Sequence, residues 1–205
     1  LPASMNTARR LLSAAGTQTA ALAFGGGPPN TAATEAYNGT SWTSVNSMNT
    51  ARRTAGGTGT QTAALGFGGY ISLPTNQTSS WNGSTWTNVN SMNTARRSLG
   101  GAGIQTLSVG FGGFTTVNTG ATEEYNGTSW TTGASLATAR EQLAGAGTQT
   151  AGLGFGGLTA VATNSNATEE YALSSLISVP AAWAAGGNMG TARRLLGGTG
   201  TQTVG

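Results

Sequence analysis

The sequence predicts an all-β protein: a β-propeller of about four to five four-stranded blades set around a common axis. Three observations predict it. First, the segment Met-Asn-Thr-Ala-Arg-Arg at 5–10 returns in exact or varied form at 48–53, 92–97, 136–141 and 189–194, with starts 43, 44, 44 and 53 residues apart. A period of this length marks an array of supersecondary units, none of which can bury its apolar face alone. Second, 15 of 22 positions are identical between 48–69 and 92–113, so the units share one frame. Third, the 205 residues include 34 Gly and 35 Thr, and no 3.6-residue apolar period is sustained anywhere. Gly opposes helix and Thr favours strand, which leaves helices almost no place.

Each unit reads as four strands. The first, clearest after Arg53 as Ala-Gly-Gly-Thr-Gly, is built of small residues and turns at Thr60-Gln61 into the second, Ala63-Ala64-Leu65-Gly66-Phe67, which ends in Gly68-Gly69. In the second strand Leu22/Phe24, Leu65/Phe67, Val109/Phe111 and Leu153/Phe155 point to one side, and Ala21/Ala23, Ala64/Gly66, Ser108/Gly110 and Gly152/Gly154 to the other. Each sheet thus has a bulky and a hollow face, so that stacked sheets can fill one another. Small first strands fit an innermost position, where the blades converge. A variable stretch leads to the third strand, as in Thr122-Glu123-Glu124-Tyr125, and Asn126-Gly127 then predicts a type I′ hairpin into a fourth strand beginning Ser129-Trp130-Thr131.

These positions resemble the kelch motif: Gly-Gly closing an apolar strand, an aromatic about a dozen residues on, a Trp five beyond it, and an Arg before the next unit. They fall at Gly25-Gly26, Tyr37, Trp42 and Arg52; Gly68-Gly69, Trp81, Trp86 and Arg96; Gly112-Gly113, Tyr125, Trp130 and Arg140; and Gly156-Gly157, Tyr171, Trp183 and Arg193. Trp81 replaces the Tyr in the second unit, and residues 172–182 stretch the fourth. The wording of the repeats is also similar to kelch-like arrays in structural proteins of marine bacteriophages. The expected organisation is a single domain over 1–205, with units at about 9–51, 52–95, 96–139 and 140–192 and an extra first strand at 193–205. Residues 1–4 read as the tail of a fourth strand. Either four blades close with one first strand left over, or the chain is a segment of a longer array, or a neighbouring segment or chain supplies the missing strands.

Composition removes whole classes of chemistry. There is no Cys, His, Lys or Asp; nine Arg and six Glu carry all the side-chain charge. Thiolate, imidazole and Schiff-base catalysis lack their side chains, as do ordinary zinc, copper, haem and iron–sulfur sites. No metal and no cofactor is expected. Adjacent Glu123 and Glu124 on a strand face opposite ways and make a poor hydrolase pair. A net charge of +3, with 7% of residues charged, argues against a nucleic-acid partner. No apolar run is long enough for a membrane span.

Charge is confined to two repeated places. All nine Arg lie in the Thr-Ala-Arg-Arg segments, and Glu35, Glu123, Glu124, Glu169 and Glu170 precede the third-strand aromatic, with Glu141 in a second-Arg position. In a propeller both links emerge on one face, so Arg and Glu should pair there and hold adjacent blades. The functional alternative is a ring of Arg9, Arg52, Arg96, Arg140 and Arg193 around the channel mouth, able to hold an anion. Ser79-Ser80 replace the Glu pair in the second unit and should leave its Arg freer. The Trp row is expected to pack between outer strands. Loops 27–33, 70–79, 114–121 and 158–167 vary, and their Tyr70, Ile71 and Phe114 are candidate contacts. The chain is expected to be a non-enzymatic structural and binding module of a virion appendage or extracellular adhesive assembly. Its partners would be proteins of a larger assembly, with homo-oligomers allowed. A lectin-like module with one cell-surface glycan site per blade is the competing expectation.

Overall fold

A first strand built almost wholly of Gly, Ala, Ser and Thr starts every blade. The computed structural model describes residues 3–159, 163–172, 182–187 and 189. Blade 1 holds β1 (Ser13–Gly16), β2 (Ala21–Phe24), β3 (Thr34–Tyr37) and β4 (Trp42–Val45). Blade 2 holds β5 (Gly56–Gly59), β6 (Ala64–Phe67), β7 (Thr78–Trp81) and β8 (Trp86–Val89). Blade 3 holds β9 (Gly100–Ile104), β10 (Leu107–Phe111), β11 (Thr122–Tyr125) and β12 (Trp130–Gly133). A short strand, β13 (Arg140–Glu141), precedes the fourth blade, which holds β14 (Ala144–Gly147), β15 (Ala151–Phe155), β17 (Thr168–Ala172) and β18 (Ala182–Gly186); β13 pairs with β16 (Leu158–Thr159). Every sheet runs antiparallel in sequence order, and the four form a four-bladed β-propeller. Among the described residues there is no helix, and so none long and apolar enough to cross a membrane.

The four inner strands line an axial channel of about 120 Å³ whose walls are Ala14, Ala15, Gly57, Thr58, Gly101, Ala102, Gly145, Ala146 and the glycine at or next to the end of each strand. Outside it, the bulky faces of the first three sheets each enter the hollow face of the next. A Cβ on Gly57 would stand 3.1 Å from Cζ of Phe24, one on Gly101 2.7 Å from Cζ of Phe67, and one on Gly145 2.7 Å from Cζ of Phe111. Glycine at these positions is what admits the rings. Phe24, Phe67 and Phe111 are fully buried, and each such ring contributes roughly 1.5–3 kcal/mol.

The same interfaces are fastened by hydrogen bonds at fixed repeat positions. Gln61 Nε2 donates to the carbonyls of Ala21 and Tyr37, Gln105 to those of Ala64 and Trp81, and Gln149 to those of Ser108 and Tyr125. Trp86 donates to Thr34 and Trp130 to Thr78, each 3.0 Å long. Those two indoles lie 4.9 Å from Phe24 and 5.0 Å from Phe67, so these two members of the Trp row pack between blades, as expected of them. Trp42 is half-buried beside Tyr37.

One expectation changes. The Asn-Gly hairpins are not two-residue type I′ turns. Pairing stops at Tyr37↔Trp42, leaving a four-residue loop in which Asn38 Oδ1 accepts the N–H groups of Thr40 and Ser41. Gly39, at φ 90°, takes the left-handed conformation and Asn38 does not. The side chain closes the loop, so Asn needs no positive φ. Loops 82–85 and 126–129 repeat this. The stretched fourth unit nevertheless keeps the common register, with Tyr171 opposite Trp183 as Tyr125 is opposite Trp130. Residues 173–181, Arg193 and the extra first strand at 193–205 lie outside the described residues.

The fourth seam differs from the other three. β1 packs on β5, β5 on β9 and β9 on β14, whereas β14 and β1 share the channel without packing to that extent. Gln18, counterpart of the three fastening glutamines, is exposed, and Leu153 and Phe155 are half-buried where their counterparts are buried.

Candidate binding face

The links into each blade and the loops from second to third strand emerge on one face. There the backbones pair: Arg10 with Gly27, Arg53 with Tyr70, Arg97 with Phe114, and Glu141 with Leu158. Successive residues of an extended backbone point to opposite sides. In each described Arg-Arg pair one side chain therefore turns inward and the next outward.

The inward set belongs to the frame. Arg96 Nη2 meets Glu123 Oε1 at 2.9 Å, and Arg140 Nη2 meets Glu169 Oε1 at 2.7 Å; both arginines are fully buried. Their Nη1 atoms donate to carbonyls of Gly112 and Ala121, and of Gly156 and Ala167. Arg9 lies 3.2 Å from Glu35. The carboxylates also accept backbone N–H groups from the links, Asn6 onto Glu35, Asn93 onto Glu123 and Ala137 onto Glu169. The inward residues also join neighbouring blades, because the carbonyls of Arg52, Arg96 and Arg140 accept the N–H of Gly26, Gly69 and Gly113 from the preceding blade. Burial lowers the pKa of Arg9 and Arg96 while their glutamates oppose the shift.

Arg52 is not left free by the missing glutamate. It is 1% exposed and donates to the carbonyls of Gln77 and Gly66 and to Ser79 Oγ. Burial pushes its pKa down to about 10, still far enough above neutrality to keep it charged. The four described members of the anticipated channel-mouth ring are thus consumed by internal bonds, and Arg193 lies outside the described residues. Among the other acids, Glu124 accepts the Tyr171 hydroxyl, whose pKa rises through burial and that bond, and Glu170 is exposed.

The outward set forms a row that sequence reasoning passed over. The Arg53 guanidinium sits 4.5 Å over the Tyr70 ring, and Arg97 lies 5.6 Å from the same ring and 4.5 Å from Phe114. Arg53, Tyr70, Arg97 and Phe114 stack in alternation across blades 2 and 3. Each cation–π contact is worth about 0.5–1 kcal/mol at such half-exposed sites. The row ends where its partners change: Gly27 gives Arg10 no ring, and Glu141 replaces the arginine in the fourth unit. Tyr70 and Phe114, two of the candidate contacts, lie within the row. Ile71 is half-buried, and its carbonyl accepts Asn30 Nδ2. The hairpins that start at Tyr70 and Phe114 carry Leu73 and Val117, exposed by 72% and 65%. Strand alternation applied to each Arg-Arg pair, with aromatics at one repeat position in units two and three, was the signal available for Arg53 and Arg97. Nothing in the sequence marked Leu73 or Val117. No protein-family model and no curated protein matches this chain.

Proposed function

We propose that this chain is a non-enzymatic structural and binding module, a kelch-like propeller that presents variable loops from a virion appendage or extracellular adhesive assembly. The observation that carries the reading is the contrast within each Arg-Arg pair. One arginine is buried in a frame repeated from blade to blade, and the other stands on a face whose loops differ between units. Rigid frames with variable loops are where binding function concentrates. Protein partners are favoured over glycans by the aromatic row: Tyr70 is flanked by two guanidinium groups and Phe114 carries one, which leaves less ring surface to stack on sugar. The kelch resemblance and the phage-like wording of the repeats support the setting.

Retention of the labelled chain on bacterial cells and on phage particles tests this. The expected result is saturable retention that protease treatment of the surface removes, that periodate spares, and that falls about tenfold when Tyr70→Ala and Phe114→Ala are combined. Retention destroyed by periodate alone would transfer the reading to the lectin-like module, and absence of retention on every surface would overturn both.

A further inference from the structure

Repetition supplies an internal control for one residue of the outward row. Arg53 is stacked on Tyr70, and its Nη1 donates to Asn30 Oδ1 at 2.7 Å. Asn30 also reaches across to the next blade, its Nδ2 donating to the carbonyls of Tyr70 and Ile71. One unit later, Arg97 is stacked in the same way, between Tyr70 and Phe114. The position corresponding to Asn30, 23 residues before the arginine, is Pro74. Proline offers no side-chain acceptor. Among the described residues the Arg97 guanidinium has no hydrogen-bond or ion-pair partner, although two rings fix its plane. In the third blade the same position is Asn118, which again bonds across to the next loop through the carbonyl of Leu158, but its arginine counterpart is Glu141. Arg97 therefore stands as an oriented cation lacking the acceptor that its sister arginine receives internally.

We propose that Arg97 is a carboxylate-binding site for a protein partner, receiving a Glu or Asp side chain flanked by aliphatic residues. This names the partner chemistry of the face described above and so rests on that reading. A planar fork of donors held by stacked rings matches a carboxylate better than any neutral acceptor, because both N–H···O bonds form at once and opposite charges meet. Pre-stacking removes much of the side-chain ordering that binding would otherwise require. The flanking groups follow from the exposed Leu73 and Val117, at the tips of the hairpins whose bases are Tyr70 and Phe114: aliphatic tips cover aliphatic side chains. An acidic glycan has the carboxylate but lacks the apolar flanks.

The probe is the acetylated, amidated tripeptide Leu-Glu-Leu, titrated into the full 15N-labelled chain while the Arg97 Nε–Hε signal is followed by NMR. Leu-Gln-Leu and an oligogalacturonate serve as the other arms. The expected result is a saturable shift of that signal with Leu-Glu-Leu and binding about tenfold weaker with Leu-Gln-Leu. Arg97→Gln should abolish the response of the neighbouring backbone amides, and Arg97→Lys, which keeps charge but loses the fork, should weaken binding severalfold. Pro74→Asn provides an arm that leaves the cation in place: it restores the internal acceptor, so peptide binding should fall although net charge is unchanged. Equal binding of both peptides, unaltered binding in Arg97→Gln or Pro74→Asn, or preference for the oligogalacturonate would each overturn the proposal. Peptide binding through Arg97 in a chain retained on no surface would refute the assembly reading and leave this site standing. Surface retention untouched by Arg97→Gln would do the reverse.

Discussion

Residues adjacent in sequence do opposite work here, and Arg96 with Arg97 is the plainest case. The first is sealed against Glu123, while the second rests between two rings. Charge pairing of the buried set was legible from where Arg and Glu recur. Which arginine turned inward follows from strand alternation, but that the inward one would still be buried without a glutamate, as at Arg52, required seeing the carbonyls of Gln77 and Gly66 close on it. A second residue-scale feature was invisible in the sequence. Leu11, Thr54, Ser98 and Gln142, one per link, all take left-handed backbone, with Thr54 at φ 54°. Their amides and carbonyls join successive links, Thr54 to Leu11, Ser98 to Thr54 and Gln142 to Ser98. A β-branched residue is poorly suited to that conformation, which costs roughly 1–2 kcal/mol. Thr54→Gly should therefore stabilise the protein by about 1 kcal/mol, seen as a melting temperature about 2–4 °C higher, since the gain exceeds the added chain entropy. An unchanged or lower melting temperature would mean that Thr54 is not strained.

At the scale of the element, the alternation in the second strand was enough to assign a bulky and a hollow face, and the packing of Phe67 against Gly101 and Gly110 is that assignment in space. The inner position of the first strand was equally legible, because Gly, Ala and Thr leave little to pack except backbone. Turn chemistry was less so: Asn-Gly signalled a hairpin correctly, but the Asn side chain, not its φ, closes the loop, and sequence does not separate the two. Gly101→Val tests the meshing of faces. Its new side chain would meet the Phe67 ring at a distance no real contact shows. The expected loss is about 2–4 kcal/mol in urea unfolding, while Thr106→Val in the exposed β9–β10 turn should change little. A Gly101→Val protein as stable as the parent would show that blades 2 and 3 do not mesh there.

For the whole molecule, the repeat fixed the architecture and left its closure open, because five first strands with four copies of the others fit several arrangements. Four blades around a narrow channel are what the described residues form, with three seams fastened alike and the fourth, at Gln18 and Phe155, different. The candidate face was suggested by loops that vary over a constant frame. Its stacked row was not, because contact between Arg97 and Tyr70 joins different units. The claim on which the rest depends is a division of labour between Arg96 and Arg97, the first holding the propeller together and the second making no hydrogen bond or ion pair within the described residues. Urea unfolding of Arg96→Gln and Arg97→Gln side by side tests it most directly. The account predicts a loss of about 3–5 kcal/mol for the first, which strands Glu123 without its cation, and about 1–2 kcal/mol for the second, which gives up two cation–π contacts. Equal losses, or a larger loss at Arg97, would contradict it.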